Sequence, residues 1–196
     1  MKIVIPIAAF IFSLAGFVSV SAQQSAPPPP PAPANEYSPK VWKEYVFADD
    51  NVRFRFPIEP IKAETVSGMA KYPAHAFTNR KGMFIMLQLS VVTFPNDANL
   101  ETGEVLKGAE QSGLDRIKDL APKIIKDEEI TVDGHGGKFL LIETNDGQVL
   151  RLKFFTVKNR LYNAVAIVEK GKRHGFNWEN DFEVPAMAFL DSIHVN

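Results

Sequence analysis

Three closely spaced segments with alternating apolar residues constrain the fold more than any other feature of this sequence. They cover residues 138–144, 149–157 and 161–168. Alternation with a period of two residues predicts β-strands that bury one face. The short connections at 145–147 and 158–160 suit hairpins, and the Asp-Gly pair in the first supplies the positive φ values of a tight turn. We therefore predict an antiparallel meander of three strands.

Further strands are predicted before this meander. In 52–56 three apolar residues alternate with two arginines, and in 83–91 one face is wholly apolar. The other face of that second segment is half apolar, since it carries Phe84, Met86, Gln88 and Ser90. Weaker strand patterns fall at 43–47, 62–66 and 72–78. A further strand at 128–132 leads into a predicted hairpin turn at 133–137.

A first helix is predicted over 101–120, because small and apolar residues recur there at helical spacing. Asn99 is suited to cap its start, and Pro122 is suited to stop it. The residues of the buried stripe are Val105, Leu106, Ala109, Gly113, Ile117 and Leu120.

A second helix is predicted near residue 190. Asn180 or Asp181 would cap it, and Pro185 would have to lie in its first turn, where proline is tolerated. Its apolar stripe consists of Phe182, Ala186, Phe189, Leu190 and Ile193. Strands with apolar residues on both faces need a covering layer on each side. The predicted class is therefore α+β, with a central, mainly antiparallel sheet flanked by helices.

The first 22 residues have the pattern of a signal peptide. Lys2 precedes an apolar run over 3–20, and Val20, Ser21 and Ala22 form a small-residue cleavage tripeptide before Gln23. An uncleaved membrane anchor is the alternative, since a run of this length is just able to span a bilayer. The pattern predicts an exported protein, periplasmic or extracellular and of bacterial type, without a transmembrane helix after cleavage.

Residues 23–40 form a proline-rich segment, with six prolines between Pro27 and Pro33. Proline fixes φ and lacks an amide donor, so we predict an extended spacer without helix or sheet. The alternative is a ligand for a proline-recognising domain. The remaining residues, 41–196, have the length of a single domain.

Composition excludes several functional classes. The 196 residues include no cysteine, so there is no disulfide scaffold, thiolate metal site or cysteine nucleophile. Lysine and arginine number 22 against 23 aspartates and glutamates, and this balance argues against a dedicated nucleic-acid binder.

Three sequence features resemble the PsbP-like domain superfamily. They are the strand with its turn over 47–57, followed by Glu59 and Pro60, the hairpin over 158–162, and the ending Phe-Leu-Asp-Ser-Ile at 189–193. The resemblance covers most of 42–196 and implies an α/β/α sandwich. It also implies an accessory or binding role like that of the known members of the superfamily, which also includes exported bacterial domains of uncharacterised function. No element specific to a photosystem subunit is matched.

Four histidines are candidates for chemistry, namely His75, His135, His174 and His194. No His-x-x-x-His or Glu-x-x-His spacing occurs, so the sequence predicts no metal site and no cofactor. His135 lies among glycines in the predicted turn and is expected to be exposed. A weak metal site with Asp133 is the alternative, although zinc sites use at least three protein ligands.

The densest acidic run is Asp127, Glu128 and Glu129. It lacks the spacing of a calcium loop. A solvated strand edge is the favoured interpretation, because charged side chains blunt edges against aggregation.

The densest basic run is followed by two aromatic residues and is the predicted partner-binding segment. A basic, aromatic loop suits a protein partner, an anionic lipid or a wall polymer, and a plain surface loop is the alternative. Its residues are Lys170, Lys172, Arg173, His174, Phe176 and Trp178. Arg53, Arg55, Arg151 and Lys153 alternate outward on two strands whose adjacency is left open.

No catalytic motif is present, so no catalytic residue is predicted. The leading hypothesis is an exported, non-enzymatic accessory or binding domain at the cell envelope, with unknown partner and oligomeric state. The alternatives are an envelope hydrolase with dispersed catalytic residues and a protein that binds a small ligand or an ion. A pocket that joins His135 or His174 to a carboxylate would favour the hydrolase.

Overall fold

The computed structural model of the protein describes most of the region that the sequence predicts to be folded. The predicted signal peptide and most of the proline-rich segment lie outside the described residues. The described ranges are 38–66, 73–79, 85–95, 102–169 and 183–195.

Seven antiparallel strands form the main sheet. Their spatial order is β3-β4-β5-β9-β8-β7-β6. The predicted meander is confirmed as β7, β8 and β9, and each of its strands is slightly longer than expected. The bounds are β3 Ile61–Val66, β4 Pro73–Thr78, β5 Ile85–Thr93, β6 Lys123–Val132, β7 His135–Glu143, β8 Gln148–Val157 and β9 Arg160–Glu169.

A second, three-stranded sheet was not predicted. It consists of β1 Lys43–Phe47, β2 Val52–Phe56 and β10 His194–Val195, with β2 in the centre. The alternation in 52–56 predicts the central strand correctly. A two-residue strand such as β10 carries no periodic signal, so its pairing with β2 was missed.

Two helices flank the sheets, close to their predicted positions. The first, α1, spans Thr102–Ile117 and continues into a 3-10 turn over Lys118–Leu120. The second, α2, spans Val184–Asp191 and has Pro185 in its first turn, as predicted. Ile193 is buried but lies beyond the end of α2. The predicted caps Asn99, Asn180 and Asp181 lie outside the described residues.

The layers divide the apolar core into two parts. One face of the main sheet packs against α1 through Val105, Ala109 and Ile117. The opposite face packs against α2 and the three-stranded sheet. Helices therefore lie on both faces, as predicted, but a small sheet shares the second face with α2.

An aromatic cluster joins the three-stranded sheet to the rest of the second core. Phe54 of β2 is fully buried at its centre. Its ring lies 5.5 Å from Phe47 and Phe56, 5.6 Å from Phe77 of β4 and 6.2 Å from Phe189 of α2, measured between centroids.

Two predictions about local structure are wrong. His135 is the first residue of β7 and is half-buried, because the hairpin turn contains only Asp133 and Gly134. Both turn residues have positive φ, and this tight turn leaves His135 paired with Val132. The end of the proline-rich segment is also more ordered than expected, since Pro39–Val41 forms a 3-10 turn.

The four alternating cations do not form one surface. Arg53 and Arg55 lie on β2, whereas Arg151 and Lys153 lie on β8 of the other sheet. Arg151 is only 3% exposed, so its predicted outward orientation is wrong. It lies on the sheet face that α2 covers, where Glu183 is available as a counter-ion.

Candidate functional site

The first histidine–carboxylate pair joins the two sheets. Asp50 ends a 3-10 turn between β1 and β2, and its side chain is 3% exposed. One carboxylate oxygen accepts a bond from His75 Nδ1 of β4. The other lies 3.0 Å from Lys62 Nζ of β3. A buried carboxylate is tolerated when it is paired and hydrogen-bonded in this way.

The same turn is also held through its backbone. Tyr162 Oη of β9 donates to the carbonyl of Asp50 at 2.9 Å, and the guanidinium group of Arg160 donates to the carbonyl of Asp49 at 2.8 Å. Burial raises the pKa of Tyr162, so the phenol stays protonated and able to donate. The predicted turn at 49–51 is therefore an anchor between β2, β3, β4 and β9.

A second pair ties the β6–β7 turn to β10. Asp133 Oδ2 accepts the Val195 N–H at 2.8 Å, and Asp133 Oδ1 lies 3.1 Å from His194 Nδ1. Partial burial raises the pKa of Asp133, but the Val195 N–H and the His194 ring outweigh it. The net pKa of Asp133 is below its ordinary value.

The substitution Asp133→Asn is expected to make stability less dependent on pH. A carboxyl whose pKa is lower in the folded state stabilises the fold above its ordinary pKa of about 4 and loses this effect as pH falls through the folded pKa. We expect Asp133→Asn to cost about 1 kcal/mol at pH 7, and we expect this cost to become smaller as pH falls below about 4. Urea denaturation from pH 7 to pH 3 measures the change.

The matched control for this prediction is Asp119→Asn, which changes an exposed aspartate in the 3-10 turn after α1. It should change the free energy of unfolding by no more than about 0.5 kcal/mol. A constant difference between Asp133→Asn and the wild type from pH 7 to pH 3 would contradict the role given to Asp133.

Two cations lie beneath α2 on β8. The Nε and one terminal nitrogen of Arg151 donate to the carboxylate of Glu183, the residue before α2. The other terminal nitrogen is buried and has no hydrogen-bond partner among the described residues. Lys153 Nζ donates to the carbonyl of Leu190 at 2.8 Å, and burial lowers the pKa of Lys153. Each end of α2 is thus fastened to β8 by one cation.

The predicted partner-binding segment lies between β9 and α2 in the sequence. Lys170, Lys172, Arg173, His174, Phe176 and Trp178 all lie outside the described residues. The described chain stops at Glu169, the end of β9, and resumes at Glu183. Glu183, where the described chain resumes, is the residue that pairs with Arg151.

The acidic run has the position that the sequence predicts. Asp127, Glu128 and Glu129 are exposed on β6, the edge strand of the main sheet. Asp127 lies 3.1 Å from Lys138 Nζ, and Glu128 lies 2.9 Å from Lys126 Nζ. The prediction of a solvated strand edge is confirmed.

The described part of the chain contains no group of three or more histidine, aspartate or glutamate side chains arranged to hold a metal ion. Within it, His135 bonds to no carboxylate, whereas His75 and His194 each do. Sequence reasoning missed both pairs because their members are 25 and 61 residues apart. No local spacing signals such contacts, since they depend on how the strands pair.

Comparisons by sequence find no relative. No family model matches the chain, and no curated protein matches it significantly in sequence.

Comparison by structure does find similar proteins. Cyanobacterial PsbP (CyanoP) from Synechocystis sp. PCC 6803 has a TM-score of 0.57 and 13% sequence identity, over 79% of this chain and 92% of that one. The Ran-binding protein Mog1p from Saccharomyces cerevisiae has a TM-score of 0.41 and 9% sequence identity, over 79% of this chain and 95% of that one. A Bacteroides thetaiotaomicron protein has a TM-score of 0.42 and 9% sequence identity, over 79% of this chain and 48% of that one.

The similarity to CyanoP spans most of both chains. An identity of 13% identifies a fold and carries no residue role with it. The chain therefore has the PsbP-like α+β fold that the turn, the hairpin and the C-terminal sequence pattern predict.

Proposed function

We propose that this chain is an exported, non-enzymatic accessory domain that binds a partner at the cell envelope. The signal-peptide pattern of residues 1–22 supports export. The proline-rich spacer at 23–40 would hold the folded domain at a distance from the membrane or wall. Among the described residues, no helix is long and apolar enough to cross a membrane.

The observation that carries the non-enzymatic part is the use made of the two histidine–carboxylate pairs. A hydrolase would use such a pair to activate a nucleophile. Here Asp50 uses its second oxygen to bind Lys62, and Asp133 uses its second oxygen to bind the Val195 N–H. Within the described residues, His75 and His194 bond to no hydroxyl group. Both pairs therefore act as ties between elements of the fold.

The proposed binding segment is the basic, aromatic run whose members were predicted from the sequence, and its partner is an anionic surface or an acidic envelope protein. Three adjacent cations attract such a partner, and Phe176 and Trp178 supply apolar contact area. Glu183 follows the segment and is fixed to Arg151. This contact fixes to the main sheet the residue at which the described chain resumes after the segment.

The test is affinity capture from envelope extracts, together with sedimentation against vesicles that contain anionic lipid. The variant carries Lys170→Gln, Lys172→Gln and Arg173→Gln. We expect it to lose at least about 90% of the captured partner or of the vesicle-bound fraction, because clustered charges act together over a Debye length.

The matched control carries Lys43→Gln, Lys107→Gln and Lys118→Gln, three exposed lysines elsewhere on the domain. It changes net charge by the same amount and should bind like the wild type. Equal binding by both triple variants, or no specific binding by the wild type, would reject the proposed segment. Turnover of an envelope substrate that depends on His75 or His194 would reject the non-enzymatic role.

A further inference from the structure

The outer edge of β6 is open in the described part of the chain. Only β7 pairs with β6 there, so one side of β6 presents a row of unpaired backbone groups. Residues 123–129 are all exposed, including Ile124 and Ile125 beside the bulge in this strand. An open edge of this length is a template for pairing with another strand.

The hairpin turn determines which residues of β6 direct their backbone outward. Val132 and His135 flank the two-residue turn, and such a flanking pair exchanges hydrogen bonds. Alternate residues then turn the other way, so the N–H and C=O groups of Thr131, Glu129 and Asp127 point away from β7. Asp127 lies near the middle of the exposed stretch.

Charge and the bulge together favour one register if the strand pairs with a second copy of itself. With a twofold axis at Asp127, Lys126 of each copy lies opposite Glu128 of the other, in two equivalent pairs. An axis at Lys126 would oppose two lysines, and an axis at Glu128 would oppose two glutamates. An axis at Ile125 would fall on the bulge, where regular backbone pairing is interrupted. Opposite charges across an antiparallel pair stabilise it, and like charges destabilise it.

The contacts within one copy are compatible with this register. Lys126 and Glu128 lie on the same face of β6, where their charged groups are 2.9 Å apart. Asp127, which would face its own symmetry mate, is paired with Lys138 at 3.1 Å. Lys138, which also pairs with Glu110 of α1, would reduce part of the repulsion between the two carboxylates on the axis.

We propose that the β6 edge is a homodimer interface, in which two copies pair antiparallel about a twofold axis at Asp127 and extend the main sheet through both. Lys126 and Glu128 disfavour pairing with strands of other proteins, but they are complementary to an antiparallel second copy of β6.

The absence of cysteine from the sequence allows a test that is specific for the register. In a hydrogen-bonded antiparallel pair the Cα atoms are about 5.5 Å apart, within the range that a disulfide spans. Under mild oxidation, Asp127→Cys in the full chain is expected to give a covalent dimer. The matched control is Thr131→Cys, on the same strand with the same outward backbone, whose two copies would lie more than about 20 Å apart.

Charge exchange tests the same interface without a cross-link. By analytical ultracentrifugation, Lys126→Glu and Glu128→Lys should each raise the dimer dissociation constant at least about tenfold. The double variant should restore it, because it re-forms both pairs. Thermal unfolding of each variant shows whether the fold is retained.

The proposal would be overturned if the wild-type chain is still monomeric at a concentration of about 100 μM, which would mean a dissociation constant well above that value. Equal cross-linking at residues 127 and 131 would overturn it as well, and so would single charge variants that dimerise like the wild type.

Discussion

Replacing Phe54 with alanine is expected to lower the free energy of unfolding by about 3–5 kcal/mol. The ring is fully buried and lies between β1, β4 and α2, which come from three parts of the chain. No single neighbour can relax into the space without moving away from another. The cost therefore includes a cavity in addition to the lost apolar burial. Urea denaturation at constant m-value measures it.

The control for Phe54→Ala is Val46→Ala, in the neighbouring strand of the same small sheet. Val46 is 64% exposed, so its truncation should change stability by no more than about 0.5 kcal/mol. A loss below about 1.5 kcal/mol for Phe54→Ala would mean that the three-stranded sheet does not depend on this aromatic cluster.

Gly137→Ala is expected to cost at least about 2 kcal/mol, the middle of the range for overpacking. Gly137 is buried on β7 opposite Phe155. A Cβ added there would lie 2.4 Å from the carbonyl oxygen of Phe154 and 2.8 Å from Cβ of Phe155. Both are fixed parts of β8, so relief requires the two strands to separate. Thermal and urea unfolding measure the loss.

The adjacent residue provides a close comparison. A Cβ on Gly136 would have no atom within 4 Å, and the residue is exposed on the same strand. Gly136→Ala should be neutral or stabilise the fold by a few tenths of a kcal/mol, because alanine restricts the unfolded chain. Equal effects at the two positions would show that β7 and β8 are not in close contact at Gly137.

Local patterns predicted the elements whose partners are neighbours in sequence. The meander of β7, β8 and β9 follows from alternation and from an Asp-Gly turn, and both act over a few residues. The stripe of Val105, Ala109 and Ile117 predicted the buried face of α1 in the same way. Such features depend on periodicity, which can be detected in the sequence without knowledge of the tertiary fold.

Contacts between distant strands were beyond this reasoning. Alternation gave Arg151 an outward orientation, because a charged residue usually faces water. The structure buries it, since α2 covers that face and Glu183 neutralises it. Asp50 was interpreted as a turn residue only, because His75 and Lys62 become its neighbours through the pairing of β3 and β4 beside the small sheet.

The order in which the chain emerges during synthesis makes the small sheet the last part of the fold to close. The amide of Arg55 in β2 donates to the hydroxyl of Ser192, 137 residues later, and β2 also waits for β10 to complete its pairing. Contacts of such high sequence separation form slowly, since a long loop must close first. Until residues 192–195 arrive, β1 and β2 have no α2 and no β10 to pack against, so the face of the main sheet that they cover is the last to be closed.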